Sequence, residues 1–269
     1  MTAQAIDPEH VVATNAWAFL LWLSTTRGMY LQGWDGLQRY SAADPAGFCR
    51  AVAAFARLGC APTRLARHRG DHEALVLLHS DGVRQSFSRD DLLACSLPSD
   101  LPGDLRKTLR RSIPAAELAR ALAETLLQQD IRADDRILVA GNAAWPTVTA
   151  LVEGATVLLY GGRQEGLRTA LAEECISVLL APASWLSADA LGGAALPGKN
   201  KFALRTLILT GPPWSLGAKA LFHAETRPDV LLIARDGDTV WGSPLDASRA
   251  DPRPWPALFT SVCSRQSST

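Results

Sequence analysis

One stretch of the sequence comes close to a phosphate-binding motif. Residues 193–200 read GAALPGKN, one residue away from the G-x-x-x-x-G-K-[ST] loop that cradles nucleotide phosphates. That loop must follow a strand and open a helix, so that backbone amides and the helix dipole face the phosphates. Here the pattern predicts a helix before the loop and a strand after it, and Asn200 replaces the hydroxyl that would hold magnesium. We therefore interpret the stretch as an exposed loop.

The other candidates for chemistry are weaker. Ser215 lacks the flanking glycines of a nucleophile elbow, and no serine or cysteine has an evident histidine partner in the sequence. His68, His72 and His79 lie around a predicted hairpin, where isolated surface or core histidines are the simpler interpretation. The pair Asp134-Asp135 precedes a predicted strand, where a turn or cap is the usual reason for two carboxylates. The residues alone therefore predict no catalytic group and no metal site.

Acidic residues also follow the last predicted strand. Residues 236–239 read DGDT and lie at the end of that strand, where parallel α/β sheets bind their ligands. The DG pair is equally a plain hairpin turn between Ala234 and Val240. We favour the turn, and a role of Asp236 and Gly237 in lining a pocket is the alternative.

The elements that must position these residues form a regular pattern after Ile113. Apolar strands alternate with helices, which is typical of a parallel sheet covered on both faces. We predict an α/β fold with a five-stranded, mostly parallel sheet and helices on both faces, preceded by an N-terminal helical segment and a β-hairpin. The predicted strands are 136–140, 155–160, 176–180, 204–210 and 230–234, and the hairpin strands are 74–79 and 83–87.

The pattern divides the chain into four regions. The first two are an N-terminal helical segment, 1–65, and a β-hairpin with a linker, 66–112. The linker has a basic run at 106–111 that we interpret as solvated. An α/β subdomain, 113–246, follows, and we expect the Pro-, Ser- and Arg-rich tail, 247–269, to be loosely ordered.

Charge and cysteine usage limit the classes of function. The 269 residues contain 27 basic and 27 acidic groups, which argues against general binding of nucleic acid or of a membrane surface. Five scattered cysteines form no C-x-x-C pair, as expected for reduced thiols inside a cell. The longest apolar run, 16–23, is too short to span a bilayer and follows acidic residues, unlike a signal peptide. We expect a cytoplasmic protein.

Several segments, in order, resemble the acetoacetyl-CoA synthetase branch of the adenylate-forming (AMP-binding) acyl-CoA synthetases. The most specific are GATVLLYGG at 154–162 and LRTLILTGPPWS at 204–215. Less specific matches are WDGLQRYS at 34–41, DPAGF at 44–48 and IRADDRI at 131–137. The resemblance implies a pocket for an acyl group or for the adenine of ATP or AMP, with magnesium beside it. The residues that it implies for this pocket are Trp145, Gly161, Gly211, Pro213, Asp236 and Gly237.

Parts of the family pattern are missing from this sequence. Nothing between Leu92 and Pro114 resembles the Ser/Thr/Gly-rich loop, ending in Pro-Lys, that wraps the ATP phosphates in the family. Residues 236–239 replace the Gly-Gly-Thr motif, and only Gly237 matches it. The ribose-binding aspartate and the C-terminal domain with its catalytic lysine would lie beyond residue 269. Adenylation depends on clamping the phosphates electrostatically, so we expect little or no adenylation by this chain alone.

Three interpretations stay open at this point. The first is a degenerate, non-catalytic module that binds an acyl group, a nucleotide or a protein. The second is an active acyl-CoA ligase that works with a partner chain. The third is a truncated gene product without a function. The missing loop indicates that the first nucleotide-side subdomain of the family is cut out here. Its loss would expose apolar surface, which favours a protein partner or self-association, and a compensating collapse is an equal alternative.

Overall fold

The architecture is an α/β sheet with a helical layer built largely from the N-terminal third of the chain. It is seen in a computed structural model. The residues that the structure describes are 14–56, 73–93, 99, 101–110, 115–141, 144–163, 166–186, 203–211, 230–236, 239–241 and 254–256.

Nine strands form one sheet in the described residues, in the order β2-β1-β4-β3-β5-β6-β7-β8-β9. The strands from β1 to β7 in this order are parallel to one another, while β2 at one edge and β8 and β9 at the other are antiparallel. The predicted fold class is confirmed, and the sheet is wider than predicted because the hairpin strands β1 and β2 and the short strands β8 and β9 join it. The strands are β1 Glu73–Leu78, β2 Arg84–Ser88, β3 Arg136–Ala140, β4 Thr156–Tyr160, β5 Val178–Pro182, β6 Thr206–Thr210, β7 Leu231–Asp236, β8 Thr239–Trp241 and β9 Pro254–Pro256.

Alternate residues of the central strands enter different cores. Val139 and Val157 belong to the core under the N-terminal helices, while Leu138 and Leu158 belong to the core on the opposite face. Since successive side chains of a strand point to opposite faces, a strand buried on both sides is apolar throughout. This is why the strands are visible as continuous apolar runs in the sequence.

Eight α-helices accompany the sheet in the described residues. Asp44 caps α3, because its side chain accepts a hydrogen bond of 2.8 Å from the amide of Gly47, and Pro45 occupies the first turn as predicted. The helices are α1 Asn15–Arg27, α2 Gly33–Ala43, α3 Pro45–Phe55, α4 Arg89–Leu93, α5 Gly103–Arg110, α6 Ala115–Leu122, α7 Ala144–Glu153 and α8 Leu167–Glu173. A π-helical turn, Ala123–Gln128, continues α6, and a 3₁₀ turn, Ala183–Leu186, follows β5. None of the described helices is long and apolar enough to cross a membrane.

Two segments are more ordered than the sequence predicts. Part of the predicted linker is α5, in which Leu105 is buried together with Leu101 just before the helix. Leu101, Leu105 and Leu109 recur every four residues, so they form an apolar stripe within a strongly charged segment. Residues 254–256 of the predicted loose tail form β9, paired with β8.

A buried ionic network joins four segments at the amino ends of the strands, and we call it the amino-edge network. Arg205 Nη1 donates to Asp130 Oδ2 at 2.9 Å, and Arg205 Nε donates to Asp135 Oδ1 at 3.0 Å. Both aspartate side chains are only 3% exposed. The amide of Asn15 donates to Asp130 at 2.7 Å, and the hydroxyl of Ser177 donates to Asp135 at 2.7 Å. Asp135 therefore has the structural role that the sequence indicates.

A second, more exposed ion cluster lies at the same edge of the sheet. Arg84 binds both carboxylate oxygens of Glu73 at 2.6 Å, and its Nε donates to Glu174 at 3.0 Å. The hydrogen bonds from Arg84 hold the pKa of Glu73 below its usual value, although partial burial acts in the opposite direction. The cluster therefore ties the β1–β2 hairpin to the end of α8.

Candidate ligand site at the carboxyl edge of the sheet

The carboxyl ends of the parallel strands meet at one edge of the sheet, which is where open α/β folds bind ligands. Two glycines begin the connections after β3 and β6, and both have left-handed backbones: Gly141 has φ +99° and Gly211 has φ +101°. Among the described residues, no atom lies within 4 Å of the position that a Cβ of Gly211 would occupy. The described part of the protein therefore leaves the backbone at Gly211 open to an approaching group.

An aromatic pair stands at this edge. The ring of Tyr160, the last residue of β4, meets Trp185 in the 3₁₀ turn edge-to-face, with centroids 6.3 Å apart and planes at 80°. The Tyr160 hydroxyl donates to the carbonyl oxygen of Arg163 at 2.8 Å. A Cβ at Gly162 would lie 2.5 Å from the Tyr160 ring, and one at Gly166 would lie 2.6 Å from its hydroxyl. Any larger residue at position 162 or 166 would collide with Tyr160, so these two glycines permit the observed position of its ring.

Gly161 lies where the chain after β4 comes close to the end of β1. Its amide donates to the carbonyl oxygen of Leu78 at 2.8 Å, and a Cβ at Gly161 would lie 3.2 Å from that oxygen. The glycine therefore permits this close approach, and its role in a pocket stays a prediction. This contact extends the parallel β1–β4 pairing by one hydrogen bond.

The strand order decides which of the predicted site residues are close together. Gly211 follows β6 and Asp236 ends β7, and the register pairs Thr210 with Arg235, so these two positions are neighbours. Gly161 lies three strand steps from Gly211, roughly 14 Å across the sheet. Trp145 lies in the first turn of α7, while Pro213 and Gly237 are outside the described residues.

The DGDT sequence begins at the end of β7. Asp236 pairs with Thr239 in the antiparallel β7–β8 ladder, and Gly237 and Asp238 lie outside the described residues. A pocket role for Asp236 and Gly237 stays a prediction. Among the described residues, no group of three or more histidine, cysteine, aspartate or glutamate side chains could hold a metal ion.

A buried arginine fixes the helix that carries Trp145. Arg89 is only 4% exposed, and it lies against the C-terminal end of α7. Its guanidinium donates to the carbonyl oxygens of Leu151 at 2.9 Å, of Gly154 at short range and of Ala155 at 3.3 Å. Burial lowers the pKa of Arg89, but an arginine remains charged in proteins because its ordinary pKa is so high. The positive charge also stabilises α7, because it lies near the partial negative charge at the C-terminal end of the helix dipole.

Sequence reasoning did not identify the aromatic pair or Arg89. Tyr160 lies within a segment used for the resemblance, but nothing local indicates that Trp185, 25 positions later, packs against it. The signal available for Tyr160 was the run of small residues after it, because an aromatic ring can lie flat over glycine. Arg89 directly follows a strand and precedes two aspartates, and nothing in that local sequence indicates burial.

Comparison with known proteins supports this architecture. No family model matches the chain, and no curated protein matches it in sequence. Among solved structures, acetoacetyl-CoA synthetase from Streptomyces lividans superposes with a TM-score of 0.70 at 12% identity, covering 90% of this chain and 67% of that chain. This chain has the fold of the adenylate-forming acyl-CoA synthetases.

Other solved structures with this synthetase fold are less similar. An acyl-CoA synthetase from Brucella canis gives a TM-score of 0.51 at 11% identity, over 80% of this chain and 65% of that chain. A benzoate CoA ligase from Burkholderia xenovorans LB400 gives 0.39 at 15% identity, over 66% of this chain and 34% of that chain. The chain thus spans under two thirds of the Brucella protein and about a third of the ligase. At 11–12% identity, the likeness to the Streptomyces and Brucella proteins concerns the fold alone.

Proposed function

We propose that this protein is a degenerate member of the acyl-CoA synthetase fold group that binds an acyl group or adenine nucleotide without adenylating it. The observation that carries the proposal is α5. In the resembling family a flexible Ser/Thr/Gly-rich loop wraps the ATP phosphates, and it precedes the helix that corresponds to α6. Here the connection from α4 to α6 contains a packed helix with a buried Leu105 instead.

The backbone hydrogen bonding of α5 is unsuitable for holding phosphates in the way that such a loop does. A phosphate loop presents successive unpaired backbone amides to the ligand. In α5 the amides after the first turn are used within the helix, and Arg106 bonds back to the carbonyl oxygen of Leu101 at 3.2 Å. The electrostatic clamp that lowers the barrier to phosphoryl chemistry is therefore not built from this segment.

The carboxyl edge supplies features that suit binding. The Tyr160–Trp185 pair offers aromatic surface on which a planar base can stack, a contact worth about 1–3 kcal/mol per base in other proteins. The open backbone at Gly211, next to the end of β7, gives a group of the ligand close access to the main chain. These features support an adenine-sized ligand at the edge rather than a triphosphate with its metal.

Calorimetric titration of the full chain with AMP tests this proposal. We expect saturable binding, weakened by Trp185→Ala, since removal of the indole takes away half of the aromatic pair. Trp17→Ala is the matched control, because Trp17 is 41% exposed on α1 at another part of the molecule. Absence of AMP and acyl-acid binding in a sample that is folded by circular dichroism would contradict the proposal.

Pyrophosphate exchange distinguishes a binding protein from an enzyme. The full chain is supplied with ATP, magnesium and a panel of short acyl and 3-oxoacyl acids, and labelled pyrophosphate incorporated into ATP is counted. We expect no acid-dependent exchange. Exchange that depends on the acid would show an active ligase and would overturn the non-catalytic assignment, even if AMP binds as expected.

A further inference from the structure

We draw no further inference here: the strongest candidate, the exposed apolar face of α1 formed by Trp17, Ala18 and Leu21, carries no proposal because nothing in the structure shows what covers it.

Discussion

Replacement of Arg89 by methionine tests whether one buried cation holds α7 in place. The guanidinium is 4% exposed and donates to three carbonyl oxygens at the end of that helix and at the start of β4. Methionine retains much of the volume and has a similar helix propensity. The substitution therefore removes the charge and the donors while changing the packing little.

The size of the effect follows from the bonds that are lost. Hydrogen bonds to a charged group each stabilise a protein by about 1.5–3 kcal/mol, and two of the Arg89 bonds are no longer than 2.9 Å. The variant no longer buries a guanidinium, which offsets part of this loss. We expect the free energy of unfolding to fall by about 2–4 kcal/mol. The free energy of unfolding of Arg89→Lys should lie between those of the unsubstituted protein and Arg89→Met. The ammonium keeps the charge, but it cannot span the same set of carbonyl oxygens.

Urea unfolding followed by far-ultraviolet circular dichroism measures these changes. Arg39→Met is the matched control, since Arg39 is exposed on α2 and its loss should change stability by less than about 0.5 kcal/mol. If Arg89→Met were as stable as the control, the carbonyl oxygens would have other partners. The C-terminal cap assigned to Arg89 would then be wrong.

Three further substitutions test other parts of the structure. Arg205→Met leaves the buried Asp135 without its guanidinium and Asp130 with that of Arg132 alone, and should cost about 3–5 kcal/mol in urea unfolding, against Arg39→Met as control. Glu73→Gln should cost under about 1 kcal/mol near neutral pH, because its side chain is 33% exposed. Gly162→Ala places a Cβ 2.5 Å from the Tyr160 ring and should cost about 1–3 kcal/mol and change tryptophan fluorescence. Its control is Gly103→Ala, whose Cβ meets no atom of the described residues within 4 Å, and this variant should be neutral or slightly stabilising.

The expected pH dependence of the Glu73 variant follows from the direction of its pKa shift. The pKa of Glu73 is lower in the folded protein, so its contribution is complete above the ordinary glutamate value of about 4.3. The contribution is lost as the pH falls through the lowered pKa. The difference between the two proteins should therefore shrink when unfolding is repeated from about pH 7 to about pH 3. A difference that grows on acidification would contradict the assigned shift.

The sequence predicts the strands of the sheet well and their neighbours poorly. A strand buried on both faces must be apolar throughout, so β3 to β7 are evident from hydrophobicity alone. The hairpin is also evident from its turn residues, Ser80-Asp81-Gly82. Its place beside β4 is not, because that pairing joins Leu75 to Val157, and no local pattern encodes contacts across such a distance.

The helix α5 shows how composition can conceal periodicity. Prolines, a glycine and four basic residues suggest a solvated linker, while three leucines at spacings of four are enough to anchor a short helix in the core. The strength of burial exceeds the weak intrinsic preference of the charged segment. A count of apolar positions at helical spacing would have found it.

The candidate site was less predictable than the fold. Gly161, Gly211 and Asp236 were selected through resemblance, and their places in the sheet follow from the strand order. The Tyr160–Trp185 pair depends on the conformation of two separate connections.

The position of β1 between β2 and β4 has a consequence for the protein during its synthesis. When β1 leaves the ribosome, its parallel partner β4 has not been made. The acceptor of the Asn15 amide, Asp130, lies 115 positions later and has not been made either. Synthesis proceeds at about 5–20 residues per second. For several seconds, therefore, the aromatic helices that are buried in the folded protein stay exposed, and one edge of β1 stays unpaired. Exposed apolar helices and a free strand edge are the features that molecular chaperones recognise. Newly made chains of this protein should thus depend on such assistance more than refolded, full-length chains do.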